Sequence, residues 1–438
     1  MNKETLSPLD NRYYNLIINL CDYFSEFNQT KYQIMIEIKY LNFIINNINE
    51  ININDDSFLS ILSNFNKADF YEIKTIETKI KHDIKSIEYF IKSRIIDELK
   101  PWIHFGLTSQ DIIHTARILS IKDSHQQVMI PTMNLLIHTL NVFSNKYINI
   151  NMLARTHGQP AINTTVFKEF KVFVHRLQKC NLNNIKFTTK FGGAIGTLQA
   201  HYDALPNYDW NILLDKFINQ LDLDEREQYT TQVSGGENLN DIFTIYTKIN
   251  NILIDLCQDI WYYHMLNYIK PNEININQVG SSTMPQKINP IKFENAEGNL
   301  QLANCLFNFF SNKVQISRLQ RDLTDSTVLR NIGVAFGHTL IAWKSIINGF
   351  NNLQINKEKI QQDLNLHPEI ILESIQTILR TEGIHNAYEL CKNEFKGKQI
   401  NLLELKEWIN SLNVSNPIKQ KIQKIFNDKF NLTKEEES

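Results

Sequence analysis

Between residues 242 and 266 the apolar positions Ile242, Ile245, Ile249, Ile252, Leu253, Leu256 and Ile260 recur at intervals of three and four. That spacing places them on one helical face, and the run continues past Trp261 toward Leu266, so it predicts one helix of about 25 residues. Similar patterns run from Phe167 to Cys180, from Ile291 to Phe310 and from Val328 to Phe350. Rods of this length must bury apolar faces against one another, and a long bundle between about 99 and 350 is the economical packing. Ile254 and Cys257 lie off the main stripe yet are apolar. Either another subunit covers this second face or an ordinary globular core does.

On both sides of this region the pattern shortens. Residues 1–98 read as short helices after an irregular start, LSPLDNRYY, where Pro8 and Asn11 interrupt any helical period. From 351 to 438 short helices are punctuated by His367-Pro368, Gly383, Gly397 and Pro417. Three domains are therefore expected: 1–98, 99–350 and 351–438. Only 14 glycines and 10 prolines occur in 438 residues, too few for the turns of a sheet protein, so the fold class is all-α. Lys and Arg total 45 against 47 Asp and Glu, a net charge of −2 that gives no general attraction to nucleic acid or anionic membranes. Any anionic ligand must be held locally. Cys21, Cys180, Cys257, Cys305 and Cys391 are odd in number and form no CxxC pair, which argues against a disulfide framework or zinc site and fits a reducing, cytoplasmic setting. Met1 to Asp10 lacks a signal-peptide pattern, and no run of about 18 apolar residues suggests a membrane span.

Because glycine is scarce, its placement marks the breaks: Gly158, the group Gly192, Gly193 and Gly196, the pair Gly235 and Gly236, and Gly280. The segment from Gly280 to Pro290, GSSTMPQKINP, is a Ser-rich loop limited by two prolines, with Lys287 six residues after Ser281, and runs into an amphipathic helix. An anion site fits this pattern; a nucleotide P-loop does not, because the spacing is wrong and no strand precedes it. A second break, Arg155 to Pro160, places His157 on a non-helical segment fixed by Gly158 and Pro160, where it is either structural or a proton carrier near neutrality. Thr108-Ser109-Gln110-Asp111 has the form of a capping box, whose helix start either serves structure alone or offers N–H groups to a phosphate. His82-Asp83 and His104 are open to the same two readings. Arg321 to Arg330 gathers two arginines and several hydroxyls, suited to carboxylate or phosphate unless it is a solvated turn.

Together these segments resemble the fumarase/aspartase superfamily, whose signature GSSxMPxKxNP is matched without a mismatch from Gly280 to Pro290. LSPLDNRY at 6–13, KHDIKSIEYF at 81–90, HFGLTSQDI at 104–112, RTHGQPA at 155–161, YTTQ at 229–232 and RDLTDSTVLR at 321–330 are similar to its adenylosuccinate lyase family, in the bacterial-type branch. They follow the family order over nearly the whole chain. The resemblance implies a three-domain fumarase/aspartase-like fold with a long central helical bundle, in a homotetramer whose subunits share active sites. It also implies β-elimination of fumarate from adenylosuccinate, giving AMP, and from SAICAR, giving AICAR, with no cofactor or metal.

Carried over position by position, Ser281 matches the general base, His157 the general acid, Glu294 the carboxylate that orients the acid, and Lys287 the cation that meets the charge of the carbanion. Asn289 and Asn295 match succinyl or base contacts. Arg12, Tyr13, His82, Asp83, His104, Thr108, Ser109, Gln232, Arg321, Ser326 and Arg330 align with ligand contacts. Two positions depart from the pattern. Asn11 stands where relatives commonly have Gly and is expected to adjust a turn near Arg12, since Asn tolerates left-handed backbone angles better than most residues. Lys81 stands where close relatives often have Asn, which puts a cation beside the expected phosphate region. Two rival readings are another superfamily lyase, such as argininosuccinate lyase or aspartase, and a silent structural protein of the same fold, as in some lens crystallins. RDLTDSTVLR and KHDIKSIEYF weigh against the first, and the joint presence of Ser281, His157, Lys287 and Glu294 against the second.

Overall fold

The computed structural model describes residues 4–53, 55–272, 282–398 and 400–430. Gly280 and Ser281, the start of the signature loop, lie outside the described residues. The helices are α1 (Tyr14–Phe24), α2 (Glu26–Asn47), α3 (Ser60–Asn64), α4 (Lys67–Ile80), α5 (Asp83–Lys92), α6 (Ser109–Ser124), α7 (Ile130–Lys146), α8 (Val166–Gln178), α9 (Gln199–Ala204) and α10 (Trp210–Gln220). They continue with α11 (Glu237–Met265), α12 (Ile291–Val314), α13 (Thr324–Leu329), α14 (Ile332–Asn351), α15 (Lys357–Asn365), α16 (Leu372–Thr381), α17 (Ala387–Phe395), α18 (Leu402–Ser411) and α19 (Asn416–Phe430). The strands form three two-stranded pieces: β1 (Asn151–Thr156) with β2 (Gln159–Thr165), β3 (Thr188–Lys190) with β4 (Glu225–Glu227), and β5 (Ile269–Pro271) with β6 (Leu353–Ile355). The fold is all-α in class, as the sparse glycine and proline predict. No helix among the described residues is long and apolar enough to cross a membrane.

The contacts divide the chain into two compact units. One comprises Met1–Leu135, Cys180–Ile254 and Asn295–Ser345; the other comprises Leu136–Lys179, Asp255–Glu294 and Ile346–Ser438. Four of the five boundaries fall inside α7, α11, α12 and α14, and the fifth lies just after α8. In the first unit, Tyr246 of α11 meets Phe336 of α14 edge to face at 4.8 Å, and Phe24 of α1 stacks on the same Phe336 at 5.4 Å. In the second unit, Phe143, Phe170, Phe293 and Phe350 form an edge-to-face cluster with centroids 5.0 to 5.8 Å apart. Such geometry adds to the burial of apolar area because ring edges are positive and faces negative.

The long helices follow the sequence pattern closely. The 242–266 stripe lies in α11, with Ile242, Ile249, Leu253, Leu256 and Ile260 buried. Cys257, off that stripe, is also buried by this chain alone at 1% exposure, so it needs no second subunit to cover it. The pattern from Val328 to Phe350 does not form one rod: α13 ends at Leu329 and α14 starts at Ile332. The segment around His157 lies between the strands of a hairpin, not between helices. His157 has φ 52° and Gly158 φ 75°, the two consecutive positive angles that a tight two-residue hairpin turn needs. Pro160 faces Arg155 in the ladder, and the register shifts beside it, between Leu153 and Arg155, where a residue without an N–H interrupts regular pairing.

Candidate active site

In the first unit the start of α6 is built around one carboxylate. Asp111 is fully buried, and its Oδ2 accepts the Thr108 N–H at 2.8 Å, which is one half of the capping box expected there. The same carboxylate binds Lys190 Nζ at 2.5 Å and accepts the N–H groups of Gly192 at 2.9 Å and Gly193 at 3.1 Å. Lys190 also donates to the Gly193 carbonyl at 2.6 Å. A buried ion pair is tolerable only when such extra hydrogen bonds satisfy both partners. The pair thereby joins Thr108 and Ser109 to the glycine loop at 192–196. Gly196 has φ 79°, and a Cβ there would sit 2.2 Å from the Thr230 carbonyl, so the YTTQ segment closes onto it. Gln232 of that segment donates to the Ala194 carbonyl at 3.0 Å.

Just before α6, His104 adopts φ 61° and Gly106 φ 70°. Glu37 of α2, with its side chain wholly buried, holds His104 Nδ1 at 2.6 Å. Tyr40, one turn along α2, donates to the Phe105 carbonyl at 3.1 Å and lies 3.0 Å from His201 Nε2. The His201 ring fills the space beside Gly106, where any Cβ would approach it to 2.5 Å. The two imidazoles respond oppositely. Burial lowers the His201 pKa to about 4. For His104 burial also disfavours the cation, but the Glu37 hydrogen bond and charge, with Glu88 and Asp111 behind it, raise the net value above its ordinary one.

A third cluster joins the ends of this unit. Asn295 donates to Tyr13 Oη at 3.1 Å and accepts from Ser345 Oγ at 3.0 Å, so two residues expected at the site support one another. Arg12 is exposed, its guanidinium 5.8 Å from the Tyr13 ring centre. His82 caps α5, accepting the Lys85 N–H at 3.2 Å, which gives this residue a structural task. Asp83, Ser326 and Arg330 line one cavity of about 310 Å³, together with Arg117 and Lys74. Arg330 reaches Asp83 at 4.0 Å, and Arg321 pairs with Asp325 at 2.6 Å across one turn of α13 and its approach. Arg117 is buried at 9% exposure; burial lowers its pKa to about 10, against the pull of Asp325 and with the push of Arg330 and Arg321. The cavity wall thus sets two guanidiniums and the hydroxyls of Thr30, Ser86 and Ser326, groups that hold a phosphate or carboxylate, beside the carboxylates of Glu26, Glu77 and Asp83.

The second unit carries the expected acid histidine and two of its expected partners. His157 is exposed at the hairpin tip, and Lys287 and Glu294 are exposed in and after the signature segment. Among the described residues these three make no hydrogen bond or ion pair with one another. Asn289 is partly buried, and Glu294 stands in the first turn of α12, its N–H bonded to the Pro290 carbonyl at 3.2 Å. Asn11 has φ −133°, so it does not use the left-handed region that Asn tolerates. Lys81 has that conformation instead, with φ 58° at the end of α4. No group of three or more His, Cys, Asp or Glu suited to a metal occurs among the described residues. Glu37, Lys190 and Arg117 were not legible as site-supporting residues. The available signal for Glu37 was a carboxylate inside the apolar run IMIEIKYL.

Residues 49–303 match the family described as Lyase, and residues 317–431 match Adenylosuccinate lyase C-terminal. The chain is 42% identical to the adenylosuccinate lyase of Dictyostelium discoideum over 446 residues, covering 97% of this chain and 95% of that one. It is 42% identical to the adenylosuccinate lyase of Legionella pneumophila strain Corby, covering 96% and 94%. A crystal structure of fumarate lyase from Mesorhizobium sp. BNC1 superposes with a TM-score of 0.76 at 15% identity, over 95% of each chain. The β-carboxy-cis,cis-muconate cycloisomerase of Acinetobacter calcoaceticus sp. ADP1 superposes with a TM-score of 0.72 at 16% identity, over 95% of this chain and 96% of that one. At that identity the two structures speak to the fold alone.

Proposed function

Since the chain belongs to the adenylosuccinate lyase family of the fumarase/aspartase superfamily and is a lyase, we propose that it releases fumarate from adenylosuccinate, leaving AMP, and from SAICAR, leaving AICAR. The gathering of Ser326, Arg330 and Arg117 on one cavity, with Asp83 beside Arg330, carries this reading, because it offers an anionic nucleotide both charge and hydroxyl contacts. Both reactions break a C–N bond next to a carboxylate. Ser281 takes a proton from the neighbouring carbon, the one that carries the other carboxylate of the succinyl group, and the electron pair left behind delocalises into that second carboxylate. Lys287 and the loop amides stabilise this extra negative charge. The pair then forms the fumarate double bond as the C–N bond breaks, and His157 gives its proton to the departing nitrogen. Glu294 orients His157. Asn289, Asn295, Arg12, Tyr13, His82, Asp83, His104, Thr108, Ser109, Gln232, Arg321, Ser326 and Arg330 contact the substrate or fix those that do.

The exposure of His157, Lys287 and Glu294 in the single chain supports a homotetramer in which neighbouring subunits complete each site. Exposed Leu302 and Phe309 on α12 add apolar surface for such an assembly. A cytoplasmic setting and the threefold division at 98 and 350 belong to the same reading. The test is fumarate release from adenylosuccinate and SAICAR, with argininosuccinate and aspartate as controls, and mass measured under native conditions. Release from either control but not from the two nucleotides would assign the chain to another branch of the superfamily.

A further inference from the structure

Glu37 is a carboxylate placed where a core helix would ordinarily carry an apolar residue. It is 1% exposed, flanked by buried Ile34, Ile36, Ile38 and Leu41, and its Oε2 has no hydrogen-bond partner among the described residues. Such a group persists in a core only if its remaining contact is strong. That contact is His104 Nδ1 at 2.6 Å. The segment around it is held from several sides, with Tyr40 on the Phe105 carbonyl, the His201 ring under Gly106, and positive φ at both His104 and Gly106. A non-glycine residue such as His104 held in that region stores strain, which persists only where surrounding contacts enforce it. Nδ1 is therefore committed to Glu37, and Nε2 is the ring atom left for a ligand on a side chain that is 16% exposed.

We propose that Glu37 is a positioning residue: it fixes the His104 ring, favours its imidazolium form and so turns Nε2–H into a donor toward an anionic group of the substrate. This rests on His104 being a substrate contact, as proposed above. The charged groups that act on His104 are Glu37 from α2, Glu88 from α5 and Asp111 from α6. Glu88 is already held by Lys85 and Lys92, and Asp111 by Lys190, so Glu37 is the carboxylate in direct contact. The raised pKa of His104 agrees in direction with this assignment.

The test uses the full-length protein and two readouts. Diethyl pyrocarbonate acylates only the neutral ring, so peptide mass spectrometry across a pH series gives the pH at which His104 is half-modified. In E37Q, which keeps the shape and removes the charge, that pH falls by about one unit or more, and KM for adenylosuccinate rises about tenfold with kcat changed far less. In E37Q/H104N the KM equals that of H104N, because Glu37 acts through the histidine. An unchanged midpoint and KM in E37Q, or losses that multiply in the double variant, overturn the proposal. Should E37Q not fold, Glu37→Asp withdraws the charge by one methylene and must lower the same midpoint; a parental value refutes the assignment. If the parent releases no fumarate yet the midpoint still shifts, the functional reading fails while the pairing of Glu37 with His104 stands.

Discussion

Around Asp111 every charge is satisfied within the fold, whereas on the 151–165 hairpin and the 284–290 segment His157 and Lys287 project outward with no side-chain hydrogen bond among the described residues. Both regions are polar and both contain glycine-marked breaks. The difference teaches that charged residues clustered along a sequence are in one place spent on the fold and in the other left facing solvent. The Asp111 hub makes a platform; the exposed segments leave an imidazole and an ammonium in solvent.

The largest expected effect lies on the platform. Asp111→Ala leaves Lys190 buried without its counter-charge and three N–H groups without an acceptor, and should cost about 3–5 kcal/mol in denaturant unfolding. Lys190→Met added to it should cost less than the sum of the single changes, because the uncompensated charge is gone. On the hairpin the effects should separate. His157→Ala should leave the unfolding midpoint near the parental value and lower fumarate release at least ~10²-fold. A matching loss of stability would erase the distinction between the two regions.

The pH dependence of unfolding sharpens the same contrast. His201 has a folded pKa of about 4, below the ~6.5 of an unfolded imidazole, so its contribution is present above that range and is lost as pH falls toward 4. His104 has a raised folded pKa, so its contribution is complete below ~6.5 and disappears as pH rises through the folded value. Denaturation series of His201→Gln and His104→Asn should therefore tilt in opposite directions relative to the parent; parallel curves would contradict the assignment. The smallest effect belongs to Lys81. Its φ of 58° is easier for Asn, so Lys81→Asn should stabilise by only about 0.5 kcal/mol in thermal unfolding while changing KM for adenylosuccinate. An unaltered KM would remove the cation from the substrate's surroundings.

Helices were the most legible part of the sequence. The apolar stripe of α11 has a strong period, and its predicted span from 242 to 266 falls within or beside the observed Glu237–Met265. The hairpin was not legible, because its two short strands alternate weakly in burial and its turn rests on His157 taking a positive φ. The break between α13 and α14 was hidden for a different reason: Leu329 and Ile332 are both buried, so the apolar signal runs on while the backbone does not. The signature loop and the 321–330 segment were legible as motifs. Their supports were not, since Glu37 and His104 are 67 residues apart, and Lys190 and Asp111 are 79 apart. A one-dimensional pattern shows residue type and spacing, and these pairs exist only after the chain has returned on itself.

That return has a consequence for synthesis. As the chain leaves the ribosome, the start of α6 emerges well before Lys190 and the glycines that complete its cap, so Asp111 must stay hydrated while about 80 further residues are made. Closure over that distance is slow compared with local helix formation. A nascent chain stalled before residue 190 should thus hold α6 with its Thr108–Asp111 cap open to water, and the loop bearing His104 would be completed only when the later segment docks.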